Sequence, residues 1–331
     1  MEEPGGYGEA LRGALPPFFS PLEVVGRVPT TMARAAELAE AGVPEGATVV
    51  AEEQTAGRGR LGRAWAAPAG TALLVSVVLR PALAVGQAWL TVSLAGVALV
   101  DAVREVLAAA GSRATVGLKW PNDLLLDGRK AAGLLAEAGA GGSGGLPSEA
   151  RARAPGGEAE PSVAPRWITG SGGLPSEATA RAPGLQAEPS VSPPVNAGGR
   201  AGGRLPWVVL GMGVNVSEAM DFPAELAGQA TSVGLAAGRR VDRAELLGAW
   251  GRRFLAGYVD LSAGSTTPLL LAYRDRLETL GRRVRAERLS GDPVVGTAVD
   301  LTASGNLVIL TDTGARAEVT SGDIEHLRSE V

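Results

Sequence analysis

Residues 139 to 204 divide this chain into two foldable parts. The stretch is mostly Gly, Pro, Ser, Ala and Glu, with little that could pack, and it contains an internal repeat. Gly142–Pro165 and Gly170–Pro193 align at an offset of 28 residues, with 20 of 24 positions identical. A period of that length could mark a solenoid, but two Pro/Gly-rich copies offer no apolar periodicity to stack. The segment reads as a disordered, duplicated insertion in a surface loop between two strands, with Arg166-Trp167-Ile168 its only sticky element. A long surface loop costs little closure entropy, so the insertion should be tolerated. The fold must therefore be built from the residues on either side.

Those residues suffice for a packed core and more than one domain: the chain has 331 residues, 45% of them hydrophobic and 20% charged. A net charge of −4 gives no broad basic surface, so a general nucleic-acid-binding role is unsupported. The absence of cysteine excludes disulfides, thiolate metal sites and a cysteine nucleophile. A single histidine, His326, argues against histidine metal sites and Ser-His-Asp catalysis. Without a leader pattern or a membrane-length apolar run, the reading is a soluble cytoplasmic protein.

Taken in order, residues 1–20 are Gly/Pro/Ala-rich, loosely ordered or helical at best, and too short for a helix-turn-helix domain. Leu22–Val28 forms a first strand, and Thr30-Thr31 caps a helix running to Glu40. Thr48–Glu53 and Thr71–Leu79 are strands, and Trp89–Ala110 is a helix closed by Gly111. Val116–Leu126 and Arg129–Glu137 read as two strands joined by a tight Asp127-Gly128 turn. In that ideal register Lys130 faces Leu125, Asn122 faces Gly133, and Lys119 lies about 20 Å from Lys130 on the same face. Beyond the insertion, Trp207–Val216 is a strand, and Arg243–Leu261 and Pro268–Leu280 are helices. The closely spaced strands from Arg283 onward suggest a small separate barrel.

Two segments carry the chemistry. Gln54 to Trp65 reads Q-T-A-G-R-G-R-L-G-R-A-W, with three glycines and three arginines in twelve residues. Glycines let a loop pass close to a ligand, and guanidinium forks suit carboxylates and phosphates, so the loop could close over a small anion. A merely solvated basic loop is the alternative. Gly57-x-Gly59-x-x-Gly62 matches a dinucleotide-binding pattern, but no helix start follows and no acidic residue stands about twenty positions on. The second segment holds both lysines among the 31 basic residues, Lys119 and Lys130. A flexible ammonium is a compact point charge, unlike a guanidinium, and its confinement to one segment points to a role.

Together these segments resemble one family. Gly-Arg-Gly-Arg-Leu-Gly-Arg-x-Trp (57–65), Lys-Trp-Pro-Asn-Asp (119–123), Gly-Arg-Lys-x-x-Gly-x-Leu-x-Glu (128–137) and Gly-Met-Gly-Val-Asn (211–215) are similar to the signature set of biotin–protein ligases, in the family's order. The C-terminal Gly322-Asp323-Ile324-Glu325-His326-Leu327-Arg328 resembles the end of its SH3-like domain. The resemblance covers residues 22 to 331 less the insertion. It implies an α+β fold, with a central mixed β-sheet and flanking helices over residues 21–280, and a small SH3-like β-barrel over 281–331.

The resemblance also implies an activity. Such enzymes join biotin to the α-phosphate of ATP, with Mg²⁺, and pass biotin from biotinyl-5′-AMP to a lysine of a biotin carboxyl carrier domain of acetyl-CoA carboxylase or a related carboxylase. Lys130, Arg60 and Arg58 would be catalytic. Thr30, Thr31, Gln54, Gly57, Arg58, Gly59, Arg60, Lys130 and Gly133 would hold biotin. Arg60, Arg63, Trp65, Lys119, Asn122, Asp123 and Asn215 would serve the nucleotide. No direct metal cluster is implied; Mg²⁺ would come with ATP, with Asp123 a candidate ligand. Trp65 could also be a core residue, Trp120 equally so, and Asn122 a turn residue. Met32 stands where the family usually has Asn, and the bifunctional members' DNA-binding domain is not matched. Operator repression, nucleic acid and membranes are therefore not expected, whereas a homodimer is compatible with the family. A lipoate–protein ligase and a catalytically silent biotin- or adenylate-binding module are the alternatives.

Overall fold

The computed structural model describes residues 6–139, 205–288, 291–320 and 322–327. The duplicated segment from residue 140 onward, with Arg166-Trp167-Ile168, lies outside the described residues, as does Arg328.

A seven-stranded mixed sheet forms the body of the protein. Its strands are β1 (Leu22–Val28), β2 (Thr48–Gln54), β3 (Ala72–Leu79), β4 (Val116–Lys119), β5 (Asp123–Leu126), β6 (Arg129–Ala138) and β7 (Val208–Asn215), in the order β1-β2-β3-β7-β6-β5-β4. β1 and β2 are parallel, and every other neighbouring pair is antiparallel. β3 is buried at every position, which explains its unbroken apolar sequence: alternate side chains serve opposite faces. Leu73, Val75, Val77 and Leu79 enter the main core, whereas Val78 packs in a second cluster with Met32 and Ala35.

The helices cover both faces. Helix α1 (Tyr7–Ala14) precedes β1, and α2 (Thr31–Glu40) lies between β1 and β2. Thr30 caps α2 by accepting the Met32 N–H at 3.3 Å. Helix α3 (Trp89–Ala109) packs on the sheet, α4 (Val233–Ala237) is one short turn, and α5 (Arg243–Ser262) crosses α3. Trp250, Phe254 and Tyr258 stack at four-residue spacing along α5, with ring centroids 4.9 and 5.5 Å apart. Residues 6–20 are more firmly placed than their composition suggests: Leu11, Leu15 and Phe19 are buried core residues, and Phe19 meets Trp250.

Two helix and strand boundaries differ from the sequence reading. Helix α6 (Thr267–Arg276) stops before the expected Leu280, because Leu277 bridges Leu118 and the Glu278 N–H donates to the Leu118 carbonyl. The expected continuous strand Val116–Leu126 is two strands. The chain reverses at Trp120-Pro121-Asn122, whose Trp120–Pro121 peptide is cis, and β5 returns antiparallel to β4. Pro121 has no N–H to give a ladder, so the strand cannot run through it undisturbed. The Asp127-Gly128 turn forms as expected, with φ of 49° and 72°, both in the region a two-residue hairpin of this kind requires.

A five-stranded antiparallel sheet follows: β8 (Arg283–Arg288), β9 (Val294–Leu301), β10 (Leu307–Thr311), β11 (Arg316–Val319) and β12 (Gly322–His326), in the order β11-β10-β9-β8-β12. It is less separate than short strands with glycine turns imply. Val284, Ile309 and Ile324 belong to the same contiguous core as α3 and α6. The Trp120 indole N–H also donates to the Gly305 carbonyl at 3.0 Å.

Candidate active site

The signature segments converge on one cleft with about 810 Å³ of empty space, part of it open to solvent. Its floor is the centre of the sheet, where β6 and β7 run side by side with Gly133 opposite Gly213. Trp65 lies on this glycine floor, with 8% of its surface exposed. A Cβ on Gly213 would come within 2.8 Å of the indole, so only glycine lets the ring sit there. The Trp65 indole nitrogen is buried without a hydrogen-bond partner.

Beside Trp65 is Lys130, also buried, with its Nζ 5.8 Å from the ring centroid and 2.7 Å from Asp123 Oδ1. The Lys130 backbone is held on both sides: its N–H donates to the Gln229 carbonyl at 2.8 Å, and its carbonyl accepts from the Thr231 N–H at 2.9 Å. Lys119 lines the same cleft, and burial pulls its pKa below the ordinary lysine value. Among the nearby charges, Asp123 opposes that shift and Lys130 adds to it. The ideal ladder on which the 20 Å separation rested does not form, because the chain reverses between the two lysines; both line the one cleft. The register also slips between Leu124 and Leu125, so Lys130 faces Leu125 as read, but Gly133 faces Asp123 instead of Asn122.

The reversal is anchored from several elements. Trp120 N–H donates to Thr279 Oγ1 at 2.9 Å, and the Tyr273 hydroxyl donates to the Pro121 carbonyl at 3.0 Å. Asn122 Nδ2 donates to the Leu134 carbonyl at 2.7 Å, and the Leu134 N–H donates to the Asn122 carbonyl at 2.9 Å. The turn reading of Asn122 thus accounts for its amide group, although the residue lines the cleft. Trp120 is core at 3% exposure and reaches the cleft as well.

The arginine loop forms one wall. The Trp65 N–H donates to the Gly57 carbonyl and the Gly59 N–H to the Arg63 carbonyl, folding the loop into a short hairpin. Gly57 does not line the cleft; a Cβ there would lie 2.2 Å from the Trp65 carbonyl oxygen, so it is needed for loop closure. Arg58, Gly59, Arg60 and Arg63 do line it. Arg60 Nη1 donates to the Gly322 carbonyl at 3.2 Å, and Arg63 pairs with Asp323 at 2.6 Å. Burial lowers the Arg60 pKa, with Asp123 and Asp323 opposing the shift.

At the far end, Thr30, Thr31 and Gln54 sit where the N-terminus of α2 meets β2, with Met32 alongside. The Thr31 N–H donates to Gln54 Oε1 at 2.7 Å, and Ser76 Oγ lies 2.8 Å from Thr31 Oγ1. Met32 lies over Gly211, where a Cβ would come within 2.6 Å of its sulfur. Asn215 departs from expectation. It is 2% exposed and lies outside the cleft lining, with its Nδ2 donating to the Thr231 carbonyl at 3.1 Å.

Sequence reading missed Ser76, Tyr273, Thr279, Gly322 and Asp323 as contributors. Only the similarity of the C-terminal segment to the family's closing motif hinted at the last two. As for a metal, the described residues hold no cluster of three His, Asp or Glu side chains. Asp123 and Asp323 are both already ion-paired, so the donor set does not fit a resident Mg²⁺.

Comparison with known proteins gives a consistent picture. A model of the biotin/lipoate A/B protein ligase family matches residues 24–144, and one of the biotin protein ligase C-terminal domain matches residues 279–327. The chain is 33% identical to the biotin–[acetyl-CoA-carboxylase] ligase of Mycobacterium tuberculosis, over 93% of this chain and 89% of that protein. It is 30% identical to the bifunctional ligase/repressor BirA of Bacillus subtilis, over 89% of this chain and 71% of that protein. Among solved structures, the biotin protein ligase of Aquifex aeolicus in complex with biotin and ATP superposes with a TM-score of 0.62. That likeness covers 94% of this chain and 100% of the other at 23% identity, a likeness of fold.

Proposed function

The chain belongs to the biotin protein ligase family, and from that premise we infer how its cleft performs the reaction. The protein is an ATP-dependent ligase that activates biotin and attaches it to biotin carboxyl carrier protein. The observation that carries the residue assignments is the meeting of the arginine loop, both lysines and the Thr31–Gln54 pair in one cleft.

In the first step a biotin carboxylate oxygen attacks the α-phosphorus of ATP. A new P–O bond forms, the bond to the β-phosphate bridge breaks, and pyrophosphate leaves. Two anions must meet, so positioning and charge neutralisation supply most of the rate. We assign that role to Lys130, with Arg58 and Arg60. Lys130 lies buried beside Trp65, where low dielectric strengthens its pull on developing charge. Gln54, Thr30 and Thr31, with Gly133 on the floor, receive the biotin ring. Arg63, Trp65, Lys119, Asn122 and Asp123 face the nucleotide. Asn215 acts from outside the cleft through the Thr231 carbonyl. Mg²⁺ would accompany ATP as its counterion and would supply further charge neutralisation. In the second step a carrier lysine attacks the biotinyl carbonyl carbon and AMP departs; closure of the arginine loop keeps water from the mixed anhydride in between.

Residues 21–280 form the catalytic unit in this reading and 281–331 the SH3-like domain, which contributes Gly322 and Asp323. The carrier is that of acetyl-CoA carboxylase, on the strength of the relatives' names; nucleic acid plays no part, and a homodimer is compatible with the fold. Among the described residues no helix is long and apolar enough to cross a membrane. Pyrophosphate release from ATP, with biotin or lipoate supplied in turn, tests the reading on wild type and Lys130→Ala. Biotin-dependent release that collapses in the variant supports it. Release with lipoate alone identifies a lipoate ligase, and no release with either a silent binding module.

A further inference from the structure

We propose that Ser76, which does not line the cleft, is a positioning residue: by donating to Thr31 Oγ1 it holds that hydroxyl as a donor to Gln54 Oε1 and so fixes the hydrogen-bonding face that Thr31 turns to the ligand beside the Gln54 amide. The proposal rests on the reading of Thr30, Thr31 and Gln54 as the end that receives the biotin ring.

The order is forced by groups whose roles are not negotiable. A backbone N–H can only donate, so the Gln54 side-chain atom 2.7 Å from the Thr31 N–H must be the amide oxygen. The Thr31 hydroxyl, 3.2 Å from the same oxygen, donates to it as well. Its proton spent, Thr31 Oγ1 can only accept from Ser76 Oγ, 2.8 Å away. Ser76 is 0% exposed, in the middle of β3 opposite Gly211, and turns toward the cleft face of the sheet. The relay Ser76→Thr31→Gln54 therefore runs in one direction.

The consequence falls on the ligand. Gln54 Oε1 is taken by two donors, and Gln54 Nε2 has no acceptor among the described residues. Thr30 Oγ1 accepts from the Met32 N–H, which leaves its proton to give. The cleft thus presents amide and hydroxyl donors and one remaining lone pair on Thr31. A cyclic urea, with a carbonyl acceptor flanked by N–H donors, complements that arrangement. A cyclic guanidinium, which offers only donors, does not. Without Ser76 the Thr31 hydroxyl loses its donor and is free to turn its proton from Gln54 to the ligand, while the Thr31 N–H still holds the amide.

The test is a double-mutant cycle read by calorimetric titration of the full-length protein with biotin and with 2-iminobiotin, its guanidine analogue. Ser76→Ala is expected to weaken biotin binding about three- to tenfold, with the KM for ATP unchanged and the preference for biotin over 2-iminobiotin reduced. On a Thr31→Val background the same change should have less than about twofold effect, because the hydroxyl through which Ser76 acts is gone. Equal losses on both backgrounds would make Ser76 a packing residue and overturn the proposal. Loss in Thr31→Val with none in Ser76→Ala overturns the proposal and leaves the cleft reading standing. If neither Thr31→Val nor Gln54→Ala changes biotin affinity, the cleft reading itself falls.

Discussion

Arg63 Nη2 lies 2.6 Å from Asp323 Oδ2, an ion pair that ties the arginine loop of the large sheet to the last strand of the small one. Both side chains are 29% exposed, so the pair is worth about 1 kcal/mol or less in stability. Its effect should appear in loop closure. Asp323→Asn is expected to raise the KM for ATP about three- to tenfold and to increase leakage of biotinyl-5′-AMP into solution. A lowered melting temperature with unchanged kinetics would make the contact structural.

Lys130 and Asp123 form a buried pair at 2.7 Å, and breaking it from one side removes the direct partner of Asp123, with Arg60 and Lys119 left to offset part of its charge. Lys130→Ala should therefore lose about 3 kcal/mol of stability as well as adenylation, measured by denaturant titration and pyrophosphate release. Adding Asp123→Asn should restore most of the stability and none of the activity. Recovery of both would mean that Lys130 serves the fold alone.

Gly213→Ala places a methyl group within 2.8 Å of the Trp65 ring, a buried group backed by the sheet. Overpacking of this kind costs about 1–3 kcal/mol and pushes the ring off the floor. We expect a lower denaturation midpoint together with KM increases of about tenfold for biotin and ATP. Unaltered KM values would show that the position of Trp65 does not matter to either substrate.

The Thr279 hydroxyl accepts from Trp120 N–H and lies 3.1 Å from His326 Nε2. Burial, with Lys119 and Arg282 nearby, lowers the His326 pKa to about 4. The unfolded chain, with the ordinary histidine value, takes up the proton first as pH falls. Stability carried by neutral His326 is thus complete above about pH 6.5 and lost progressively down to about pH 4, on the order of 2 kcal/mol after screening. The stability gap between wild type and His326→Gln should narrow over that window; a gap independent of pH between 4 and 6.5 would contradict the assignment.

Features set by neighbours in the chain were legible beforehand. The Thr30 cap, the Asp127-Gly128 turn, the apolar β3 and the helical span of α5 each depend on residues within a few positions. The signature motifs, read as a set, also identified the cleft's loop and its buried lysine. What local pattern could not supply was where strands meet. Trp120-Pro121-Asn122 reads as part of a strand until Tyr273 and Thr279, more than 150 positions away, anchor it as a turn. That reversal brings Lys119 and Lys130 to the same cleft.

Asn215 sits in a signature motif, and only packing turns its amide to Thr231 and out of the cleft. Ser76 looks like any small polar residue in a strand, and Asp323 like a surface acid. Sequence by itself determined most of the elements, the family and most of the residues that line the cleft, because propensity, capping and turn chemistry act over short distances. Tertiary structure alone decided which charges are buried together and which donors meet which acceptors, because burial and hydrogen-bond partnership are properties of groups brought together from distant parts of the chain.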